Sequence, residues 1–243
     1  MSATQEQYDL DEYFPTTAWL EKYQHALTAD EEFSDISEGW GVGWNGDFVF
    51  EIRDLPIEEH QVQDLPDEVW QALEQATTQL PEETLENVVD DAPEQVQENI
   101  ENRSGTLHER AVAEIKETRI VDAPEKVWPG MRNLMPDVVN GLLDQLEENV
   151  TEEGHVYAWI GIEDGECYET TTMQRIDERE KGFIITGEYE QWIDLVSGDL
   201  DVVEGIMSGA LELDGDMQKI LQYSDAAIRM TDVAAELDKR FLF

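Results

Sequence analysis

The sequence predicts a chain of mixed helix and strand, with strands towards its two ends and a block of helices between them. Three observations predict this. Apolar and polar residues alternate at 48–53, and the alternation returns from His155 onward. Between Pro56 and about Val150 it fades, glycines become rare and helix-start signals recur. Between residues 197 and 217, "SGDLDVVEGIMSGALELDGDM", glycine corners separate short apolar pieces.

The elements follow in order. "TAWLEKYQHAL", 17–27, reads as a helix with Leu20, Tyr23 and Leu27 on one face and Trp19 and Ala26 beside it. Phe33, Ile36 and Trp40 follow in a stretch punctuated by Asp and Ser. A turn at Asn45-Gly46-Asp47 leads into a half-buried strand, with Phe48, Phe50 and Ile52 on one side and Val49, Glu51 and Arg53 on the other. In the middle block Pro66, Pro81, Pro93, Pro124 and Pro136 each precede an acid. Proline suits the first helical position, and an acid in the first turn complements the helix dipole. Helices are expected near 66–80, 81–90, 93–103 with a continuation near 106–119, 124–133 and 136–150. Their apolar stripes are thin between Glu82 and Glu101, so no independent core is expected there.

Beyond the block, "VYAWIGIEDGECYETTTM" predicts a hairpin turning at Asp164-Gly165. "FIITG", 183–187, is a strand, and "EYEQWIDLVSG" a helix closed by Gly198. A short helix at 201–209 and a strand at 210–214 follow, the latter with Leu211 and Leu213 on one face. From Asp216 one long helix is expected to Leu237. On a continuous helix its apolar residues would cover an arc of roughly 240°, far wider than the ~100° stripe of an ordinary surface helix. The surplus face would meet a ligand, other helices or a second subunit.

The charge excludes more than it identifies. Fifty-eight acids stand against 15 bases, a net charge of −43 spread along the whole chain. Such a field repels nucleic acid and anionic lipid headgroups, so no nucleic-acid partner is expected. An even spread suits a solvated acidic surface in a high-salt cytoplasm, where screening removes most self-repulsion. The start of the sequence shows no secretory signal, and no run of 18 apolar residues occurs, so a cytoplasmic protein without stable membrane insertion is expected. With one cysteine, Cys167, no intramolecular disulfide is available.

The search for chemistry is negative. His25, His60, His108 and His155 fit no metal-ligand spacing. "GWGVGW" leads to a strand with no following lysine, so it is no phosphate cradle. Cys167 has no cationic neighbour in sequence to activate it. No catalytic residue, metal or cofactor is expected, and the protein is read as no enzyme.

Residues 182–217, "GFIITGEYEQWIDLVSGDLDVVEGIMSGALELDGDM", resemble the sterol carrier protein-2 (SCP2) family. The match rests on Thr186-Gly187, Trp192, Gly198, Leu200-Asp201, Met207-Ser208-Gly209, Leu211, Leu213 and Gly215-Asp216-Met217. A weaker likeness, in Trp19, Leu20, Trp40 and Gly46-Asp47, extends it over about 2–55 and 154–243. A competing local likeness, "RIVDAPEKVW" to the helix-grip superfamily, is followed by too few strands. The resemblance implies an α+β fold: a five-stranded sheet flanked by helices, with an apolar tunnel between sheet and C-terminal helices. It implies a domain formed by 1–55 and 154–243, with 56–153 a helical insertion or lid. Trp70, Leu73, Trp128, Leu134, Leu142 and Leu146 are its candidate lid contacts.

The implied activity is carriage of an apolar lipid-like molecule (acyl chain, isoprenoid or sterol-like) without covalent change. Candidate ligand-binding residues on the sheet and the following helix are Phe50, Ile185, Trp192 and Leu195. Those around the glycine corners are Ile206, Met207, Leu211, Leu213 and Met217, and those on the last helix are Ile220, Leu221 and Ala227. The alternative is an interaction protein of the same fold, its cavity filled by its own side chains and its C-terminal helix a dimer or partner face. Monomer and homodimer both remain open. The charge reading predicts that moving the protein from about 1 M KCl to dilute buffer lowers its melting temperature. Equal melting temperatures in the two would overturn the high-salt reading.

Overall fold

The computed structural model describes residues 9–127 and 129–243. The chain divides into two compact units, a mixed one of Leu10–Leu55 with Asn149–Phe241 and a helical one built on Pro56–Glu148. The mixed unit starts with helices α1 (Thr17–Ala29) and α2 (Glu31–Ile36) and strand β1 (Phe48–Arg53). The helical block follows, with α3 (Asp67–Thr78), α4 (Glu82–Asp90), α5 (Glu94–Asn102) and α6 (Leu107–Glu117). Two single turns, α7 (Ala123–Lys126) and α8 (Pro129–Arg132), precede α9 (Asp137–Asn149). The mixed unit resumes with β2 (Val156–Glu163), β3 (Glu166–Met173), β4 (Phe183–Glu188), α10 (Tyr189–Ser197) and α11 (Val202–Ser208). It closes with β5 (Glu212–Asp214), α12 (Met217–Gln222) and α13 (Ser224–Glu236).

The result is an α+β fold whose five strands form one sheet in the order β3-β2-β1-β4-β5. Strands β1 and β4 pair in parallel, and every other neighbour pair is antiparallel. The hairpin turns at Asp164 and Gly165, both at positive φ, as a tight two-residue connection requires. Because strand side chains alternate, the register sorts the faces. Thr172, Ala158, Phe50, Ile185 and Leu213 stand in one row across all five strands. One step along, Met173, Tyr157, Glu51, Thr186 and Glu212 form a row on the other face. There the buried Glu51 carboxylate accepts from Thr186 Oγ1 at 2.8 Å and Arg53 Nη2 at 2.8 Å.

Four elements differ from expectation. Pro66, Pro81 and Pro93 stand one residue before their helices, at the N-cap. Their extended ψ lets the proline carbonyl accept the first helical N–H bonds, while the next residue, an acid, opens the helix. The thin stripes of the helical block do build a core. Leu85 and Val89 on α4 meet Val96 and Ile100 on α5, together with Ala92 and Ala111. Two apolar residues four apart suffice when several helices converge on one point. The long C-terminal helix is two helices, broken at Tyr223 with φ −114° and ψ 33°. Tyr223 meets Trp40 edge-on, ring centroids 5.3 Å apart, and the break resets the phase on which the wide apolar arc depended. Finally, β5 begins after Leu211, which is buried while Leu213 is only half-buried.

One ion-pair network fixes α13 in the mixed unit. Arg229 Nε donates to Asp30 Oδ1 at 3.2 Å and Nη1 to Glu236 Oε1 at 2.8 Å. Asp30 also caps α2, its Oδ1 accepting from Phe33 N. The guanidinium hydrogen bonds hold the Asp30 carboxyl below the ordinary aspartate value. Its contribution to stability is therefore complete above that ordinary value and lost as pH falls through the depressed one. Arg229→Ala is expected to cost about 1 kcal/mol near neutral pH, or about 2–4 °C in melting temperature. The gap between variant and parent should close on acidification; a gap independent of pH overturns this account.

Candidate binding cavity

The row through Phe50 is the floor of an apolar cavity in the mixed unit. Ala158 and Ile185 flank Phe50 across the register, and Phe48 and Ile52 extend the floor along β1. The methyl group of Ala158 is what leaves room beside the Phe50 ring. Phe48 stacks with Trp40 at 5.3 Å and with Phe183 at 5.1 Å, which packs that end of the floor.

Helix α1 forms one wall because its backbone is tied to β3. Thr170 Oγ1 donates to Leu20 O at 3.0 Å, Thr28 Oγ1 to Cys167 O at 3.0 Å, and the hydroxyls of Thr17 and Thr172 lie 2.6 Å apart. This brings Trp19, Leu20 and Tyr23 to the cavity. Helix α10 adds Trp192, Leu195 and Val196, and α13 adds Ala227, Met230, Thr231 and Ala234. Val202 and Ile206 come from α11 and Ile220 from α12. Gly198 and Gly209 close α10 and α11 with φ +81°, a left-handed conformation that glycine adopts without a Cβ penalty. That is how so short a stretch reverses twice and still delivers Val202 and Ile206 to the wall.

The cavity encloses about 50 Å³. That is ample room for a water molecule. None of the lining side chains carries a charge. Two of the polar wall groups bond to the protein. Tyr23 OH donates to Met230 O at 3.0 Å, and Trp192 Nε1 to Glu51 O at 3.1 Å. Burial pushes the Tyr23 hydroxyl well above its ordinary pKa, so it stays a neutral donor. These two bonds tie α13 to α1 and α10 to β1.

Of the residues expected at the site, Phe50, Ile185, Trp192, Leu195, Ile206, Ile220 and Ala227 line this cavity. Met207 is 71% exposed and Leu221 51%. Each lies about 100° round its helix from a lining neighbour, Ile206 or Ile220, so both face solvent. Leu211, 1% exposed, lies outside the lining, fitted against the backbones of Gly187 and Gly205. Leu213 ends the floor row on β5, half-buried, and Met217 opens α12, also half-buried; neither is in the lining.

Tyr23, Ala158, Met230 and Ala234 were not expected at the site. Tyr23 was legible as the buried face of a helix, but no local signal says what that face meets. Ala158 and Ala234 act by being small, which leaves no mark in a hydrophobic pattern. In the helical unit Leu73 is buried, and Lys116 Nζ sits 3.8 Å from the centroid of the Trp70 ring. Leu134, Leu142 and Leu146 are half-buried, and Trp128 lies outside the described residues.

Among the described residues no group of His, Cys, Asp and Glu could hold a metal ion, and no helix is long and apolar enough to cross a membrane. The buried Cys167 thiol is pushed up to about 12, chiefly by burial, which removes the thiolate at neutral pH.

Residues 142–227 match the model of the SCP-2 sterol transfer family. That span runs from within α9 to the first turn of α13 and holds four of the five strands. Among solved structures, a crystal structure of sterol carrier protein 2 aligns at 15% identity and a TM-score of 0.45, over 91% of this chain and 97% of that one. The solution structure of a conserved hypothetical protein from Thermus thermophilus aligns at 24% identity and a TM-score of 0.33, over 38% of this chain and 66% of that one. No curated protein matches the sequence.

The packing separates two neighbours in the sequence motif. Leu211→Ala is expected to destabilise the protein by about 2–5 kcal/mol, as for other buried leucines. Met207→Glu should change stability by no more than about 0.5 kcal/mol, being a surface substitution. Denaturant melts of the two variants measure this, and a reversed order of cost overturns the placement.

Proposed function

We propose that the mixed unit is a non-catalytic carrier of an apolar, lipid-like molecule, held between its sheet and its C-terminal helices. The observation that carries the reading is the uncharged cavity over Phe50, walled by α1, α10, α11, α12 and α13. The family match at 142–227, to a family described by sterol transfer, supports it. Binding in such a space rests on apolar area removed from water, at about 25 cal/mol per Å², less the cost of ordering the guest. A guest larger than this space binds by displacing wall side chains. In this reading 56–153 is an insertion into a carrier domain formed by 1–55 and 154–243, and the guest is an acyl, isoprenoid or sterol-like molecule.

The second reading keeps the fold and makes it an interaction module, with the C-terminal helices as a dimer or partner face. The exposed side chains of Met207 and Leu221 favour it. Extraction and mass spectrometry of freshly purified protein, with titration of a fluorescent acyl-chain probe, decides between the two. The carrier predicts a co-purified lipid or saturable probe binding. Ala227→Leu, which fills the cavity from a helical position, should weaken that binding at least tenfold with the melting temperature maintained. Protein that is folded, empty and blind to the probe overturns the carrier reading, and a dimer dissociated by Met207→Glu then supports the interaction module.

A further inference from the structure

A second cavity, of about 30 Å³, lies within the helical unit. Leu85 and Val89 of α4, Val96 and Ile100 of α5 and Ala111 of α6 line it, and these five belong to one packed cluster. Met131 and Met135 line it from the short segment around α8. Both are buried, at 4% and 8% exposure, yet neither belongs to that cluster. The gap therefore lies between them and it. This cavity shares no lining residue with the one over Phe50.

The polar groups of the second lining are engaged. The Glu114 carboxylate, 6% exposed, accepts from Asn99 Nδ2 at 2.7 Å and from Arg103 Nη2 at 2.9 Å. Lys126 Nζ lies 3.6 Å from Asp122, and Thr118 Oγ1 donates to Glu114 O at 2.9 Å. Water would find few partners here, and an ion would be buried without a counter-charge. An uncharged apolar molecule needs neither, and it restores the dispersion contacts that the gap forfeits.

Room for such a molecule is made at low cost. Methionine is unbranched and polarizable, so it re-packs readily. Helix α8 is a single turn tied to α9. Arg132 Nη1 donates to Asp144 Oδ1 at 2.6 Å, Arg132 Nη2 to Glu147 Oε2 at 2.9 Å, and Asn140 Nδ2 to Arg132 O at 2.9 Å. Swinging the Met131 and Met135 side chains leaves those bonds in place.

We infer that the helical unit carries its own binding site for a small, uncharged, apolar molecule, between the α4–α6 cluster and the methionines of the α8 segment. The block between β1 and β2 is then a second receptor and not only a cover, whatever the cavity over Phe50 holds.

The test uses the full chain with its seven methionines carbon-13-labelled at the methyl group, titrated with toluene and, separately, with benzoate at about pH 7.5. In the NMR spectrum Met131 and Met135 report the helical unit and Met230 the cavity over Phe50, while the exposed Met207 is the surface control. Toluene is expected to shift the Met131 and Met135 signals saturably with Met207 unmoved, and benzoate to bind there roughly tenfold more weakly. Ala111→Leu adds volume in the lining. It should weaken the toluene response of Met131 and Met135 by roughly tenfold and leave that of Met230 unchanged. Val127→Phe fills the same cavity from the other side and replaces Ala111→Leu should that variant not fold. Met131 and Met135 signals that stay fixed while Met230 responds overturn the inference and leave the carrier standing. A response that survives the filling variant overturns it too, and benzoate bound as tightly as toluene overturns the selection for an uncharged guest. No response at any of the three overturns the inference, and lipid extraction then decides the carrier reading by itself.

Discussion

The parallel pairing of β1 with β4 is the constraint on which the rest of the mixed unit depends. It places Ile185 opposite Phe50 on one side while the antiparallel pairing with β2 places Ala158 on the other. The same register puts Glu51 beside Thr186, where the hydroxyl can reach the buried carboxylate. A slip of one residue would exchange the faces, setting Glu51 against the apolar helices and Phe50 among the polar side chains. A parallel pair needs a long crossover, and here the chain between β1 and β4 contains both the helical unit and the β2–β3 hairpin. So long a connection between paired strands is tolerable because loop-closure entropy grows only logarithmically with length.

Much of this was legible in the sequence, for identifiable reasons. Strand β1 shows because Phe48, Phe50 and Ile52 make one face wholly apolar while Glu51 and Arg53 stand on the other beside Val49, which is itself buried against Trp159 and Met173. The ends of α10 and α11 show because glycine is the residue that takes a left-handed cap without a Cβ penalty. The break at Tyr223 did not show. Apolar residues continue through 217–237 without a proline or glycine, so local propensity favours one helix. The deciding contact, Tyr223 against Trp40, lies far away in the chain. Met207, which the motif places at the site, and Leu221, which the wide apolar arc places there, each lie about 100° round a short helix from the residue that does line it. Phe50 and Ile185 on the floor and Trp192 and Leu195 on α10 do line the cavity, since strand alternation and the motif each fix a face over a short range. The α1 wall was missed because it depends on where a helix docks.

The charge excess and the apolar cavity are two sides of one distribution. With 15 bases among 58 acids, each cation has several candidate partners. Arg103 is shared by Glu114 and Glu117, Arg132 by Asp144 and Glu147, and Arg229 by Asp30 and Glu236. A scarce cation bonded to two acids is worth more as a crosslink than as a surface pair, because one ordered side chain serves both. Such a protein gathers its few bases at joints, such as the seam between α2 and α13, and has none to spare for its interior. An uncharged cavity wall follows from composition as much as from function.

The wall is not held uniformly, and the difference bears on how a cavity of about 50 Å³ could take a larger guest. Helix α1 is bonded to β3, α13 to α1 through Tyr23 and to the cap of α2 through Arg229, and α10 to β1 through Trp192. Among the described residues no side chain of α11 or α12 hydrogen-bonds to another element; Lys219 only rests on the Trp44 ring. Moving α13 or α10 outward breaks buried hydrogen bonds and leaves donors unsatisfied. Moving Ile206 or Ile220 outward forfeits only apolar contacts, and a guest of similar surface restores them. On the carrier reading, expansion therefore runs towards α11 and α12. These are short helices set between glycine corners and the break at Tyr223, so the turns that make them recognisable in the sequence also make them the least costly part of the wall to displace.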